Sequence, residues 1–302
     1  MPRPFPPCAG VRHGFCDVAT GIRVHVAEAG PADGPPVVLL HGWPQHWWCW
    51  RGVIGPLAAA GLRVIAPDLR GSGWSDAPDH GYDKEQLASD LVALLDALGV
   101  GRTALVGHDW GGWVGQLVAL RAPERVERLV LCNIPPVWPS RDRAATARNA
   151  WRLSYQVIGV PRLGPALQRS RQMRRMFAGV PHGDRDEFLN ALREPGRAEA
   201  GARLYRTFLT RELPAILRGR YAGRRLTMPT LVLHGTGDGV IRPFLVEGFR
   251  EHADDVEIAW VPDTGHFVVD ERPALVADRV LAFLRAPGGH TDPVPRTSLD
   301  RP

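Results

Sequence analysis

The stretch that decides the fold is ALVGHDWGGWVG, residues 104–115. It begins as a short apolar run, which is typical of a buried strand, and continues as a helix after a turn. Gly107, Gly111 and Gly112 permit a strained turn and a close contact between the strand and the helix. A strand, a tight turn and a helix in this order predict a nucleophile elbow.

Asp109 occupies the centre of this turn, where esterases and lipases carry serine. A carboxylate attacks as an anion without a base and forms an ester with an alkyl carbon. The helix N-terminus behind it stabilises the negative charge. The alternative is that Asp109 only caps the helix, as an isolated Asp before a helix usually does. The flanking glycines and the apolar strand favour a nucleophile, and a serine esterase is disfavoured because no GxSxG follows a strand.

Apolar runs and helical patterns alternate on both sides of the elbow. Strand-like runs occupy residues 22–27, 37–40, 63–66, 103–106, 126–131, 230–233 and 256–261. Helical spacing marks residues 84–98, 110–121, the region near 243–250 and residues 273–284. Strands that alternate with helices predict a mostly parallel sheet covered on both faces.

Residues 135–225 interrupt this alternation, because they show helical spacing and no convincing buried strand. They carry 19 Arg against 7 Asp and Glu, a net charge of +12 in a chain whose total is +5. We interpret this surface as solvated, and the alternative is a positive lid that attracts anionic substrates or a partner. The predicted division is residues 1–134 as the first part of the core, 135–225 as a helical cap, 226–286 as the second part of the core and 287–302 as a disordered tail.

Composition argues against several classes of protein. The basic residues lack interleaved aromatic positions, so no nucleic-acid partner is expected. No stretch approaches the roughly 18 apolar residues that span a bilayer, and the N-terminal residues lack the apolar region of a signal peptide. The four cysteines have no paired spacing that would suggest a metal site. A large fold with so few cysteines needs no disulfide framework, so a reducing cytoplasm is expected. We expect no metal and no organic cofactor.

Four motifs together resemble the epoxide hydrolase and haloalkane dehalogenase branch of the α/β-hydrolase superfamily. They are HGWP at 41–44, DLRGSGWSD at 68–76, GHDWGG at 107–112 and GHF at 265–267. The resemblance covers roughly residues 15–284. It implies an α/β-hydrolase fold, with a mostly parallel central sheet flanked by helices and a helical cap inserted after the sixth strand.

An ester on Asp109 must be hydrolysed, which needs a water molecule and a general base. His266 is the candidate among the 11 histidines, because it lies in a loop between the last strand and the last helix. A carboxylate must hold the tautomer of this histidine. Asp238 follows the strand TLVLHG, where the family places its acid, and Asp263 is the weaker alternative. His108 is expected to point away from the site.

The negative charge that develops during ester hydrolysis needs backbone N–H donors. The resemblance implies that Trp43 and Trp110 provide them. The Trp43–Pro44 bond is a candidate for a cis peptide.

The leaving group separates the two chemistries of the family. An alkoxide from an epoxide needs a proton donor, and epoxide hydrolases supply it with a tyrosine pair, whereas a halide needs only N–H donors. Tyr205 in LYRTF and Tyr155 in LSYQ resemble this pair, with Tyr221 as a competitor. Trp43 stands where many dehalogenases carry Asn or Glu, and Trp110 stands where fluoroacetate-cleaving relatives carry Arg. Both differences favour epoxide opening.

The resulting hypothesis is an epoxide hydrolase that acts on a mainly apolar small molecule. His41 is expected to brace the oxyanion loop. Together with Pro44, Trp138 and Trp151, it is also a predicted substrate-binding residue. A homodimer is a further hypothesis. The alternatives are a haloalkane or haloacid dehalogenase with the same nucleophile, and a non-catalytic binding protein of this fold.

Overall fold

The computed structural model describes residues 3–177 and 179–286. Within these ranges, the side chains of Arg143, Ala150, Arg152, Leu153 and Tyr155 are outside the description. The predicted tail, residues 287–302, also lies outside the described residues.

The described strands form one eight-stranded sheet in the order β1-β2-β4-β3-β5-β6-β7-β8. Their bounds are β1 Arg12–Val18, β2 Ile22–Ala29, β3 Pro36–Leu40, β4 Arg63–Pro67, β5 Thr103–His108, β6 Val126–Cys132, β7 Thr230–Gly235 and β8 Val256–Val261. β2 pairs antiparallel with β1 and β4, whereas β3 to β8 pair in parallel. Strands β5 and β7 are buried at every residue, as expected of parallel strands covered on both faces.

β1 was not among the strands predicted from apolar runs. It lies at the edge of the sheet, and its side chains are mostly exposed or half-buried. Strand β1 pairs only with β2 and contributes few side chains to the core, so its sequence needs no continuous apolar pattern.

The described helices lie on the sheet and in the segment between β6 and β7. Around the sheet they are α1 Arg51–Ala59, α2 Lys84–Ala97, α3 Trp110–Arg121, α9 Pro243–Val246, α10 Phe249–His252, α11 Val268–Glu271 and α12 Pro273–Arg285. Between β6 and β7 they are α4 Arg143–Asn149, α5 Leu163–Arg169, α6 His182–Ala191, α7 Arg197–Thr207 and α8 Leu213–Leu217. Short 3₁₀ segments occupy Trp47–Trp50, Pro123–Arg125, Ala150–Gly159 and Arg171–Arg175, and a π-helix occupies Phe208–Glu212.

A mostly parallel sheet flanked by helices confirms the predicted fold class. The segment between β6 and β7 contains no strand in its described residues, and we call residues 135–225 the helical insertion. Its role as a cap and the exact domain boundaries remain predictions. In the described part of the chain, no helix is both long and apolar enough to cross a bilayer.

The carboxyl ends of the parallel strands bring the functional candidates to one edge of the sheet. The HGWP loop follows β3 and the elbow follows β5, while Asp238 and His266 lie in the loops after β7 and β8. Parallel strands place the loops at their carboxyl ends side by side, which is where α/β folds bind ligands. The fold therefore assembles residues that are up to 225 positions apart in sequence, as the contact between Gln45 and Asp270 illustrates.

Candidate active site

Asp109 adopts a strained backbone conformation at the elbow, with φ 49° and ψ −127°. Such a conformation costs on the order of 1–3 kcal/mol and is usually held by its surroundings at functional sites. The surrounding glycines allow it: a Cβ on Gly107 would lie 2.5 Å from the Cα of Gly112, and one on Gly111 would clash with the carbonyl of Leu40.

The side chain of Asp109 does not cap the helix that follows it. Its Oδ2 atom instead accepts a hydrogen bond of 3.0 Å from the backbone N–H of Trp43, and the N–H of Trp110 also bonds the carboxylate. The simple N-cap interpretation is therefore wrong. The two N–H groups predicted for an oxyanion hole thus both bond the carboxylate of Asp109. The Trp43–Pro44 peptide bond in the HGWP loop is cis, as predicted.

Gly42 keeps this carboxylate in place. A Cβ at this position would lie 2.6 Å from Oδ2 of Asp109. Only glycine leaves room for the nucleophile candidate to approach the loop that carries the Trp43 donor.

The imidazole of His266 lies between two carboxylates. Its Nδ1 is 2.9 Å from Oδ2 of Asp238, and its Nε2 is 3.7 Å from Oδ1 of Asp109. Oδ1 of Asp109 is therefore the oxygen that faces the base candidate, while Oδ2 is held by the N–H of Trp43. The three side chains thus lie side by side in the order Asp238, His266, Asp109.

Asp238 is fixed by more than the histidine. Its Oδ1 accepts hydrogen bonds from the backbone N–H groups of Val240 and Ile241, at 2.7 and 2.9 Å. Its Oδ2 accepts a third from the side chain of Asn133, at 2.7 Å. The alternative acid, Asp263, is exposed. The structure thus brings Asp238, and not Asp263, into the site.

Burial and charge shift the pKa values of these three groups. Burial raises the pKa of Asp109, although His266 and the two N–H groups counteract it. Burial alone would raise the pKa of Asp238 as well, but His266 and Asn133 lower it to about 2. Burial alone would lower the pKa of His266, yet Asp238 and Asp109 raise it to about 9. A pKa of about 9 keeps the imidazole of His266 protonated at neutral pH.

Three residues that support His266 and Asp238 were not identified from the sequence. Asn133, which follows β6 with a φ of 48°, bonds both Asp238 and the carbonyl of Gly265. Glu271 accepts from the N–H groups on both sides of His266, at 2.8 and 3.2 Å. His108 lies 2.8 Å from the carbonyl oxygen of His266 through its Nε2, so it turns away from the nucleophile, as expected. An Asn directly after a buried strand was the one available signal.

Tyr205 is brought against both N–H donor residues. Its side chain is buried, and its ring packs edge-on against the indoles of Trp43 and Trp110 at centroid distances of 5.0 and 5.6 Å. Tyr155 lies in the 3₁₀ segment Ala150–Gly159, but its side chain is outside the described residues. The hydroxyl of the competitor, Tyr221, donates to Glu85 at 2.9 Å, which occupies it outside this group.

Three of the four predicted substrate-binding residues make contacts elsewhere or are exposed, and their contact with substrate stays a prediction. His41 is 1% exposed, with Nδ1 2.9 Å from the carbonyl of Gly42 and Nε2 accepting from the N–H of Leu69, so it braces the loop. Trp138 donates to the carbonyl of Tyr221 and stacks on His252. Trp151 is 68% exposed.

Pro44 lines a small cavity of about 30 Å³ between the HGWP loop and α7. This cavity also touches Trp43, Tyr82 and Leu204, but not Asp109. Contact between Pro44 and substrate stays a prediction.

Comparisons with known proteins show the family of the chain. A family model described as the alpha/beta hydrolase fold matches residues 35–273. The soluble epoxide hydrolase of Corynebacterium sp. (strain C12) is 34% identical over 278 residues, covering 87% of this chain and 94% of the relative. Epoxide hydrolase A of Mycobacterium tuberculosis is 32% identical, with coverage of 87% and 94%. The solved structure of the epoxide hydrolase CorEH without ligand is 32% identical with a TM-score of 0.79, covering 91% of this chain and 98% of its own.

Proposed function

Since the chain belongs to the epoxide hydrolase branch of the α/β-hydrolase superfamily, we propose that it hydrolyses epoxides to vicinal diols through an ester on Asp109. The observation that carries this proposal is that the two oxygens of the Asp109 carboxylate have different partners. One oxygen is held by the N–H of Trp43, and the other lies 3.7 Å from Nε2 of His266. A carboxylate in this position can form an ester and then have that ester hydrolysed.

In the first step, Oδ1 of Asp109 attacks an epoxide carbon and the carbon–oxygen bond of the ring breaks. The oxygen that leaves takes a proton from a phenol, for which Tyr205 is the candidate on the wall of the site and Tyr155 its predicted partner. The products are a hydroxyalkyl ester and a phenolate. Without this proton, an alkoxide would be too basic to leave.

In the second step, His266 takes a proton from water, and the resulting hydroxide attacks the ester carbonyl. Negative charge then grows on Oδ2, where the N–H groups of Trp43 and Trp110 meet it. Collapse releases the diol oxygen, which takes the proton back from His266. Hydrolysis of an ester to a carboxylate and an alcohol releases one further proton, which restores the phenol of Tyr205.

Ester formation favours the neutral, basic form of His266. Asp238 is the larger cause of the raised pKa of His266 in the free protein, and the Asp109 carboxylate adds to it. The ester is neutral, so the contribution of Asp109 disappears and the pKa of His266 falls. The proton that His266 then releases to solvent returns when the Asp109 carboxylate forms again.

We further propose that the helical insertion acts as a cap over the site. Tyr205 and Phe208 from the insertion pack on the Trp110 indole, and Gln168 of α5 accepts from the indole of Trp43. The walls near Asp109 are thus largely aromatic, which suits an apolar epoxide.

A single-turnover reaction in ¹⁸O-labelled water tests the mechanism. The label is expected in the Asp109 carboxylate first and in the diol only on later turnovers. His266→Gln is expected to accumulate the ester, whereas His80→Gln, which changes an exposed histidine, should turn over normally. Direct entry of label into the diol, with no ester in His266→Gln, would exclude the proposed nucleophile; no diol from any epoxide would favour a binding protein.

A dehalogenase is the second candidate, and one observation favours it. Among the described residues, the indole N–H of Trp110 is buried without a hydrogen-bond partner beside Asp109. Such a donor can receive a leaving halide. Assaying halide release from haloalkanes beside diol formation separates the two, because Tyr205→Phe should slow only diol formation.

A further inference from the structure

Lys84 places a buried ammonium group in the first turn of α2. Its side chain is 0% exposed. Burial of a cation is costly unless it is paired, and a positive charge at a helix N-terminus opposes the helix dipole. Both the burial and the position at the helix N-terminus are unfavourable for Lys84, so its contacts are expected to have a specific role.

Those contacts join the core to the helical insertion. The Nζ atom donates to Oε2 of Glu212 at 2.8 Å and to the carbonyl of Leu204 at 2.6 Å. The backbone N–H of Lys84 also donates to Oε1 of Glu212, at 2.9 Å. Glu212, at the end of the π-helix, therefore holds Lys84 at both its backbone and its side chain. π-helical turns are rare and occur frequently at functional sites.

The same ammonium lies directly behind the site. Nζ is 4.5 Å from the centre of the Trp110 indole and 5.2 Å from the ring of Phe208, distances at which a cation attracts an aromatic face. Trp110 follows the nucleophile candidate, and Leu204 precedes Tyr205 in α7. The ammonium of Lys84 thus contacts Trp110, which follows Asp109, and Leu204, which precedes Tyr205.

We propose that Lys84, held by Glu212, is a positioning residue that sets Tyr205 and Trp110 relative to Asp109 for epoxide opening. This inference rests on the proposed function. Ester hydrolysis relies on His266 and Asp238 and on the backbone N–H groups of Trp43 and Trp110. The loops after β3, β7 and β8 and the elbow fix these groups, whereas Lys84 contacts Trp110 only at its indole ring. Loss of the Lys84 contacts should therefore slow ester formation and leave ester hydrolysis nearly unchanged. A purely structural ion pair would change stability without such selectivity.

Removal of the charges of both Lys84 and Glu212 distinguishes a positioning role of Lys84 from a contribution to folding stability. Lys84→Met alone leaves Glu212 buried and unpaired, which is destabilising, whereas replacement of a whole buried ion pair by apolar residues is often neutral or stabilising. The double variant Lys84→Met/Glu212→Leu is therefore expected to unfold at a temperature close to that of the parent. Its rate of ester formation is expected to fall on the order of 10²-fold, as for a small misplacement of reacting groups.

The rate of ester formation is measured in a His266→Gln background by quenched flow and mass spectrometry of Asp109. Ester hydrolysis is measured in single turnovers with His266 present. Asp184→Asn is the matched control, because Asp184 pairs with Arg51 and links α6 of the insertion to the core at another place. We expect it to lower stability and to leave both steps within about twofold of the parent.

A double variant with parental stability and a parental rate of ester formation overturns the proposal, as does equal slowing of both steps. Absence of ester in the His266→Gln parent contradicts the proposed function instead. A crystal structure of the double variant then decides the positioning role. We expect the edge-on contact between Tyr205 and Trp110 to be lost, and an unchanged contact would refute the inference.

Discussion

The Nδ1 atom of His266 lies 2.9 Å from Oδ2 of Asp238, although the two residues belong to different loops at the carboxyl ends of β7 and β8. Three further donors, from Asn133, Val240 and Ile241, saturate the same carboxylate. These donors hold the carboxylate of Asp238 in one orientation. The carboxylate in turn orients the imidazole of His266 and raises its pKa.

Asp238→Asn removes that charge and is expected to slow ester hydrolysis on the order of 10²-fold or more, since the general base loses its orientation. Ester formation should continue, so a burst of ester precedes slow turnover in rapid-quench experiments. Asp263→Asn is the control on the His266 loop, because Asp263 is exposed. A slow Asp263→Asn enzyme beside a normal Asp238→Asn enzyme would reverse the assignment of the acid.

Tyr205→Phe is expected to slow ester formation roughly 10²-fold, because the leaving oxygen loses a proton donor. Hydrolysis of the ester, followed in single turnovers, should keep its rate. Tyr221→Phe serves as the control, since the hydroxyl of Tyr221 bonds Glu85. If both variants open epoxides as fast as the parent, neither tyrosine is the donor.

The folding stability should depend on the charge of His266. Its pKa is 6.5 when unperturbed and about 9 in the folded protein, so the folded state binds the proton more tightly. The contribution to the free energy of unfolding is fully present below pH 6.5 and is lost as the pH rises through about 9. Urea unfolding of the parent and of His266→Gln between pH 6 and 10 measures this contribution. A stability difference that stays constant over that range would contradict the raised pKa.

Gly42→Ala is expected to lower turnover on the order of 10²–10³-fold, comparable to the loss of an oxyanion donor. Its Cβ would lie 2.6 Å from Oδ2 of Asp109 and push that oxygen from the N–H of Trp43. Gly55→Ala in α1 is the matched control: its Cβ meets nothing within 4 Å, so it should raise helix stability by about 0.5–1 kcal/mol and leave turnover intact. Steady-state kinetics and thermal unfolding distinguish the two variants, and a fully active Gly42→Ala enzyme would rule out this role of the loop.

The parts of the site that local sequence pattern controls were predictable. Asp109 was identified because a strand, glycines and a helix around one residue leave few conformations for its backbone. His266 and Asp238 were predicted because their loops follow recognisable strands and because the resemblance to the family places the base and the acid there. Edge strand β1 was missed, since its contacts require no apolar run.

Side chains that depend on contacts between distant segments were not predictable. Trp138 and Trp151 were assigned to the substrate site by their type, yet one packs on His252 and the other is exposed. Glu271 and Lys84 show no pattern of their own, because their partners are backbone groups and side chains of other elements.

The sequence by itself determined most of the strands and the helices around the sheet, the elbow and the carboxylate at its centre, because these follow from short-range periodicity and from the steric freedom of glycine. Only the tertiary structure decided which oxygen of Asp109 faces His266, which acid holds that histidine, and that a buried ammonium on α2 links Trp110 to the backbone beside Tyr205. Hydrogen bonds and ion pairs depend on distances of a few tenths of an ångström between segments far apart in the chain, and the packed fold alone sets those distances.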